Sequence, residues 1–160
     1  VKASHSHRQD TADNVPVPVT LERVAGHVAV VSLHRPRASN AIDGAMTEGL
    51  ARAVRVAEAE DGIRAVLLRS SHPTVFCAGA DLPTIAEGRK DQIFPSDGGF
   101  AGFVRAKRTK PWIAVVDGAA LAGGMELALA CDLIVCSPNA RFEPGQQVTR
   151  KGSRLQSQES

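Results

Sequence analysis

The chain contains no tyrosine, one tryptophan and five phenylalanines in 160 residues. With so few flat side chains, stacking on nucleobases is excluded as a main mode of recognition. A net charge of +2 is too small to argue for a nucleic-acid backbone or an anionic membrane surface. No apolar run approaches the roughly 18 residues that a membrane span requires. Residues 1–14, VKASHSHRQDTADN, lack the apolar centre of a signal peptide. The cysteines, Cys77, Cys131 and Cys136, are odd in number and without metal-ligand spacing. No metal site is therefore expected, and reduced thiols in a cytoplasmic protein are the simplest account. The patterns GxGxxG, GxxxxGK, HExxH and GxSxG do not occur, so a generic nucleotide-binding domain, a zinc protease and a serine hydrolase have no support.

What remains is globular in composition, 43% apolar and 22% charged, and long enough for one domain or a piece of one. Residues 1–15 are polar and unpatterned and are expected to form a disordered tail, as are residues 145–160, GQQVTRKGSRLQSQES. Between them, residues 16–144 carry the folding pattern. Segments 17–22 and 27–33 flank a turn at Ala25-Gly26 and predict a β-hairpin. A basic loop, HRPRASNAI, leads to Asp43, an N-cap for a helix over 44–60 in which Met46, Leu50, Val54 and Ala57 recur at helical spacing. Residues 64–69 predict a strand. A second strand, a turn at Ala78-Gly79-Ala80-Asp81 and a short helix follow. The polar, Gly-rich stretch 88–100 reads as a mobile loop, and 102–107 as a helix. Residues 133–136 form the last strand with a clear signal. Strands alternating with helices argue for an α/β fold.

The organising stretch is 111–132, PWIAVVDGAALAGGMELALACD. It begins with a short apolar run suited to a buried strand and turns at Asp117-Gly118. It then enters a helix behind Gly123-Gly124 with a single acid, Glu126, in its first turn. Paired glycines let backbone approach a ligand closely and leave N–H groups free at a helix start. Backbone donors and one acid converging on a spot can stabilise an enolate-like oxyanion and move a proton. Close packing and the helix dipole account for the same residues without function. The strand, small-residue turn and helix order recurs at 75–85 and 113–130, and two such turns can each supply one N–H to a shared oxygen.

Taken together, HRPRASNAI (34–42), FCAGADL (76–82) and KPWIAVVDGAALAGGMELALACD (110–132) resemble the crotonase superfamily, the enoyl-CoA hydratase/isomerase group. The resemblance spans about residues 17–142. It implies a spiral of ββα units, usually closed by C-terminal helices that also build trimers or hexamers. It implies an acyl-CoA substrate, with coenzyme A entering as part of the thioester rather than as a resident cofactor. The peptide N–H groups of Ala80 and Gly123 would form the oxyanion hole for the thioester carbonyl. Ala78, Asp81 and Leu82 would border the acyl-CoA path beside Ala80, and Arg37, Ser39 and Ala41 would lie along the CoA nucleotide. Glu126 matches the first acid of hydrating members, which orients or deprotonates the water that adds across the double bond. Its apolar neighbours are expected to desolvate it and make it a better proton acceptor.

Two departures set alternatives beside that implication. Hydratases of the group carry a second acid where this chain reads Arg141-Phe142-Glu143-Pro144-Gly145-Gln146-Gln147, so an amide at Gln146 or Gln147 replaces it. Glu143 lies nearby, out of phase, as the candidate substitute. Family members also continue well past this point, so the chain is expected to be a C-terminally truncated member with apolar surface left open. The readings in play are a hydratase/isomerase-type enzyme and an impaired member that only binds CoA esters or a partner subunit. The sequence at 98–102 and around Glu126 is also similar to carnitinyl-CoA dehydratase-like members.

Overall fold

The computed structural model describes residues 17–24 and 26–145. The expected tail at 1–15, and all of the one expected at 145–160 except Gly145, lie outside the described residues, as do Gln146 and Gln147. Eight strands and three α-helices follow one another among the described residues. They are β1 (Val19–Arg23), β2 (Val28–Leu33), α1 (Gly44–Ala59), β3 (Ala65–Ser70), β4 (Val75–Cys77) and α2 (Leu82–Ala86), then β5 (Trp112–Val116), β6 (Ala119–Leu121), α3 (Gly123–Leu129), β7 (Leu133–Cys136) and β8 (Arg141–Glu143).

The first sheet has the order β1-β2-β3-β5-β7 and the second β4-β6-β8. Apart from the antiparallel β1–β2 hairpin, every pairing is parallel. From β3 onward the chain places one strand in the first sheet, the next in the second, and then a helix. It does so as β3-β4-α2 and β5-β6-α3, and β7-β8 begins the pattern again. This is the expected α/β spiral of ββα units. A parallel neighbour cannot be reached through a tight turn, and the second-sheet strand with its helix forms the return.

The hairpin forms as its pattern predicts, with Val19 opposite Leu33 and Arg23 opposite Ala29. Helix α1 starts where Asp43 accepts the Met46 N–H at 2.9 Å. It buries Met46, Leu50, Ala53, Val54 and Ala57, and a large apolar side chain so buried contributes roughly 1.5–3 kcal/mol. At its far end Lys110 Nζ donates to Ala57 O and Glu60 O, two carbonyls at the helix C-terminus. Strand β5 alternates, with Trp112, Ala114 and Val116 buried and Ile113 and Val115 half-buried. Trp112 packs edge-on to Phe103, ring centroids 5.1 Å apart.

Three elements differ from the sequence expectation. The 88–100 stretch is not a bare loop: it makes a 3-10 turn at Lys90–Gln92, buries Ile93 completely and leads through buried Phe100 into the core. Residues 102–107 do not form a helix. Ala101 at φ 59° and Gly102 at φ 61° put two consecutive residues in the left-handed region, which stops a right-handed helix after the single 3-10 turn Phe100–Gly102. Strand β8 lies beyond the last strand expected, where three residues that are all exposed carry no alternation to read. Strand β7, at the edge of the first sheet, is also exposed along its whole length, and Leu129, Leu133 and Val135 each leave more than half of their surface open.

Candidate active site

The two small-residue turns meet at the start of α3. Gly79 adopts φ +94°, and a Cβ there would lie 3.0 Å from Gly123 N and 3.1 Å from Leu121 O. The turn after β4 therefore abuts the turn after β6 with no room for a side chain between them. Gly124 is tighter still, since a Cβ would fall 2.1 Å from Cys77 O. Ala122 enters the helix at φ 47° and ψ −117°, held by its N–H on Glu143 O at 2.8 Å. Among the described residues, neither the Ala80 N–H nor the Gly123 N–H donates to a backbone or side-chain acceptor. Phe100 roofs Gly123, where a Cβ would meet its ring at 2.4 Å.

The 34–42 loop is fastened to the Ala80 turn from the other side. Ala78 N donates to Ser39 O at 3.0 Å, Ile42 N to Gly79 O at 2.7 Å, and Asp81 N to Ile42 O at 2.9 Å. Ser39 and Asn40 sit at φ 52° and 54°, consecutive left-handed residues that give the loop its sharp corner. Of the residues expected along the CoA path, Ser39, Ala41, Ala78, Ala80 and Asp81 are thus gathered into one hydrogen-bonded unit. Arg37 is exposed and borders a cavity of about 310 Å³ with Pro18, His34 and Pro36. Leu82 is 74% exposed and reaches away from the core.

Glu126 corrects one expectation. It lies in the first turn of α3, on the same helix start as Gly123, but its side chain is exposed. The apolar residues around it in sequence, Leu127 and Ala128, are buried on the opposite side of the helix. The desolvation anticipated from its neighbours is therefore missing among the described residues, because helical periodicity turns Glu126 outward. Glu143 is exposed on β8, and its backbone oxygen holds Ala122 N.

Two residues of the site carry signals the sequence reading passed over. Arg35 pairs through Nη1 with Asp81 at 2.7 Å and through Nε with Asp43 at 3.2 Å. Asn40 is completely buried and bonded at both ends of its amide. The clue to Arg35 was Asp81 itself, an acid beside the turn that needs a cation once buried. Burial alone would raise the Asp81 pKa, but hydrogen bonds from Arg35 and Thr84 outweigh it and hold the carboxyl below the ordinary aspartate value. Because the folded value is depressed, this carboxylate stabilises the fold above the unfolded value of about 3.9, and that contribution is lost as pH falls through the folded value.

The thiols divide sharply. Burial pushes Cys77 up to about 12 against a smaller opposing effect of the Gly79 N–H. Burial likewise raises Cys131 to about 12 despite Arg108 nearby. Cys136 is exposed on β7. A thiol reagent at neutral pH is expected to label one cysteine rapidly in the folded chain and all three in denaturant, with the fast site mapped to Cys136 by peptide mass. Rapid labelling of Cys77 in the folded chain would contradict the packing of Asn40 and Gly79 against it.

Comparison with known proteins bears on the same residues. The sequence model of the Enoyl-CoA hydratase/isomerase family matches residues 23–153. A probable enoyl-CoA hydratase 2, mitochondrial, of Arabidopsis thaliana is 37% identical over 155 residues, covering 88% of this chain and 51% of that protein. A carnitinyl-CoA dehydratase of Proteus mirabilis is 38% identical over 118 residues, covering 73% of this chain and 45% of that one. Among solved structures, a carnitinyl-CoA dehydratase from Mycobacterium avium 104 superposes with a TM-score of 0.73 at 40% identity, covering 79% of this chain and 50% of that one. The chain thus spans about half the length of the relatives it matches. No helix of the described residues is long and apolar enough to cross a membrane.

Proposed function

The chain belongs to the enoyl-CoA hydratase/isomerase family, and from that premise we propose that it acts on acyl-CoA thioesters, adding or removing water at the 2,3 double bond. The observation that carries the reading is the contact of the two glycine turns, Gly79 against the Gly123 N–H. In this reading the N–H groups of Ala80 and Gly123 both reach one thioester oxygen, and the CoA portion runs along Arg37, Ser39 and Ala41 past Ala78, Asp81 and Leu82. Water attacks C3 as Glu126 takes its proton. The π electrons move into the thioester, whose oxygen gathers negative charge against the two N–H groups, and the proton held on Glu126 returns to C2. Such donors are set before the charge forms, and removing one typically costs about 2.7–4 kcal/mol of barrier. The exposed position of Glu126 leaves it free to meet a water and a substrate from outside. A cytoplasmic setting remains part of the proposal and rests on the three unpaired thiols.

The test is hydration of crotonyl-CoA by the 160-residue chain, followed as loss of the enoyl-thioester absorbance, beside Glu126→Gln. Turnover that falls about a hundredfold in that variant is expected, within the range for loss of a positioned acid–base group. Equal rates in the two proteins would remove Glu126 from the reaction. A folded chain that binds the thioester without turning it over would leave a CoA-ester binder as the better account.

A further inference from the structure

We infer that Arg35 is a positioning residue that aims and polarises the Ala80 N–H through a relay of two peptide groups. The inference rests on the reading of Ala80 as a donor to the thioester oxygen. Arg35 Nη1 donates to Ala41 O at 2.9 Å. That carbonyl shares a peptide group with the Ile42 N–H, which donates to Gly79 O at 2.7 Å. The Gly79 carbonyl in turn shares its peptide group with the Ala80 N–H.

No peptide bond among the described residues is cis, so in each group the C=O and N–H point in opposite directions. Fixing the Gly79 carbonyl on Ile42 therefore directs the Ala80 N–H away from the 34–42 loop and into the space in front of the turn. Hydrogen bonds in series polarise one another. A guanidinium at the head of the chain draws electron density from Ala41 O, strengthens Ile42 as a donor, and so strengthens Ala80 as one.

The head of the relay is locked. Asp81 Oδ1 and Asp43 Oδ2 hold two different nitrogens of the same guanidinium, and Asp81 N returns to Ile42 O at 2.9 Å to close the ring. A second effect acts in the same direction. Asp81 follows Ala80 directly, and its carboxylate opposes negative charge gathering at the Ala80 N–H; the Arg35 cation at 2.7 Å offsets it. Lysine carries the charge but lacks the planar fork that reaches Ala41 O, Asp43 and Asp81 together.

The experiment compares 15N–1H spectra of the full chain as wild type, Arg35→Met, Arg35→Lys and Lys110→Met, the last a control that loosens the far end of α1. The Ala80 amide resonance is expected to move in Arg35→Met well beyond its shift in Lys110→Met, and to recover part of the way in Arg35→Lys. A second arm binds a CoA thioester labelled with 13C at the carbonyl and reads its stretching frequency. Wild type is expected to lower that frequency, Arg35→Met to lower it less at equal occupancy, and Arg35→Lys to fall between them. An Ala80 resonance that stays in place, or moves no more than in Lys110→Met, overturns the relay, as do equal carbonyl frequencies. If Arg35→Met does not fold, Arg35→Lys decides alone, and an Ala80 resonance coincident with wild type overturns the relay. Failure of the wild-type chain to bind the thioester would sink the proposed function, while the amide spectra would still decide what Arg35 does.

Discussion

Gly124→Ala is expected to lose more than about 3 kcal/mol of stability, whereas Gly88→Ala is expected to lose about 1 kcal/mol. The contrast isolates space from backbone conformation. Gly88 has φ +76° and nothing within 4 Å of a Cβ, so only the left-handed strain of an alanine is added. Gly124 is in the helix, where alanine is ordinarily preferred, but its Cβ would sit 2.1 Å from Cys77 O and 2.7 Å from Cys77 C. Backbone atoms of a paired strand cannot rotate aside as a side chain can. The start of α3 must therefore retreat from the end of β4, carrying Gly123 away from Gly79 and breaking the meeting of the two turns. Overpacking of this kind costs roughly 1–3 kcal/mol where neighbours can give, and more than about 3 kcal/mol is expected where they are main chain. Urea unfolding followed by the fluorescence of Trp112, the one tryptophan and fully buried, reads both variants. A Gly124→Ala midpoint at or above that of Gly88→Ala would refute the steric account.

Why some of this was legible in the sequence, and some was not, follows from the range of the forces involved. The β1–β2 hairpin, α1 and β5 were readable because each carries a local signal, two short segments about a turn, a helical spacing and a short apolar run, and Asp43 announces its helix by a bond three residues long. The two glycine turns were readable as close approaches, although nothing local could say that Gly79 approaches Gly123 rather than some other partner. The spiral itself came from the resemblance, since strands β4, β6 and β8 have only three residues each and are held by partners far along the chain. The helix expected at 102–107 failed because propensity does not register two left-handed residues in succession at Ala101 and Gly102. The environment of Glu126 was misjudged by counting sequence neighbours where the helix turns them to the other face. Arg35 and Asn40 were missed for a related reason: a polar residue in a loop looks solvated until the segments it joins are known.

Asn40→Ala is expected to cost about 3–5 kcal/mol, a large part of the roughly 5–15 kcal/mol that separates folded from unfolded chains of ordinary stability. The amide joins three segments that share no local sequence. Its Oδ1 accepts Arg35 N at 2.7 Å, and its Nδ2 donates to Ser70 Oγ at 2.7 Å and to Phe76 O at 3.1 Å. Truncation leaves Arg35 N–H and Phe76 C=O without those bonds in a site with no exposure at Asn40, and an orphaned buried group costs about 1–3 kcal/mol. Ser70 loses less, because its hydroxyl also donates to Val75 O at 2.7 Å. Conformation adds to the cost, since Asn40 stands at φ 54°, where asparagine is tolerated better than alanine. Asn40→Gly separates the two contributions: it loses the same three bonds but not the left-handed strain, and is expected to unfold about 1 kcal/mol later than Asn40→Ala. Equal urea midpoints for wild type and Asn40→Ala would mean that the backbone bonds from 39–42 to 78–81 hold the loop unaided. The expected loss instead makes this side chain the pin that sets the loop, with Arg35 and Ile42 on it, against the turn that carries Ala80.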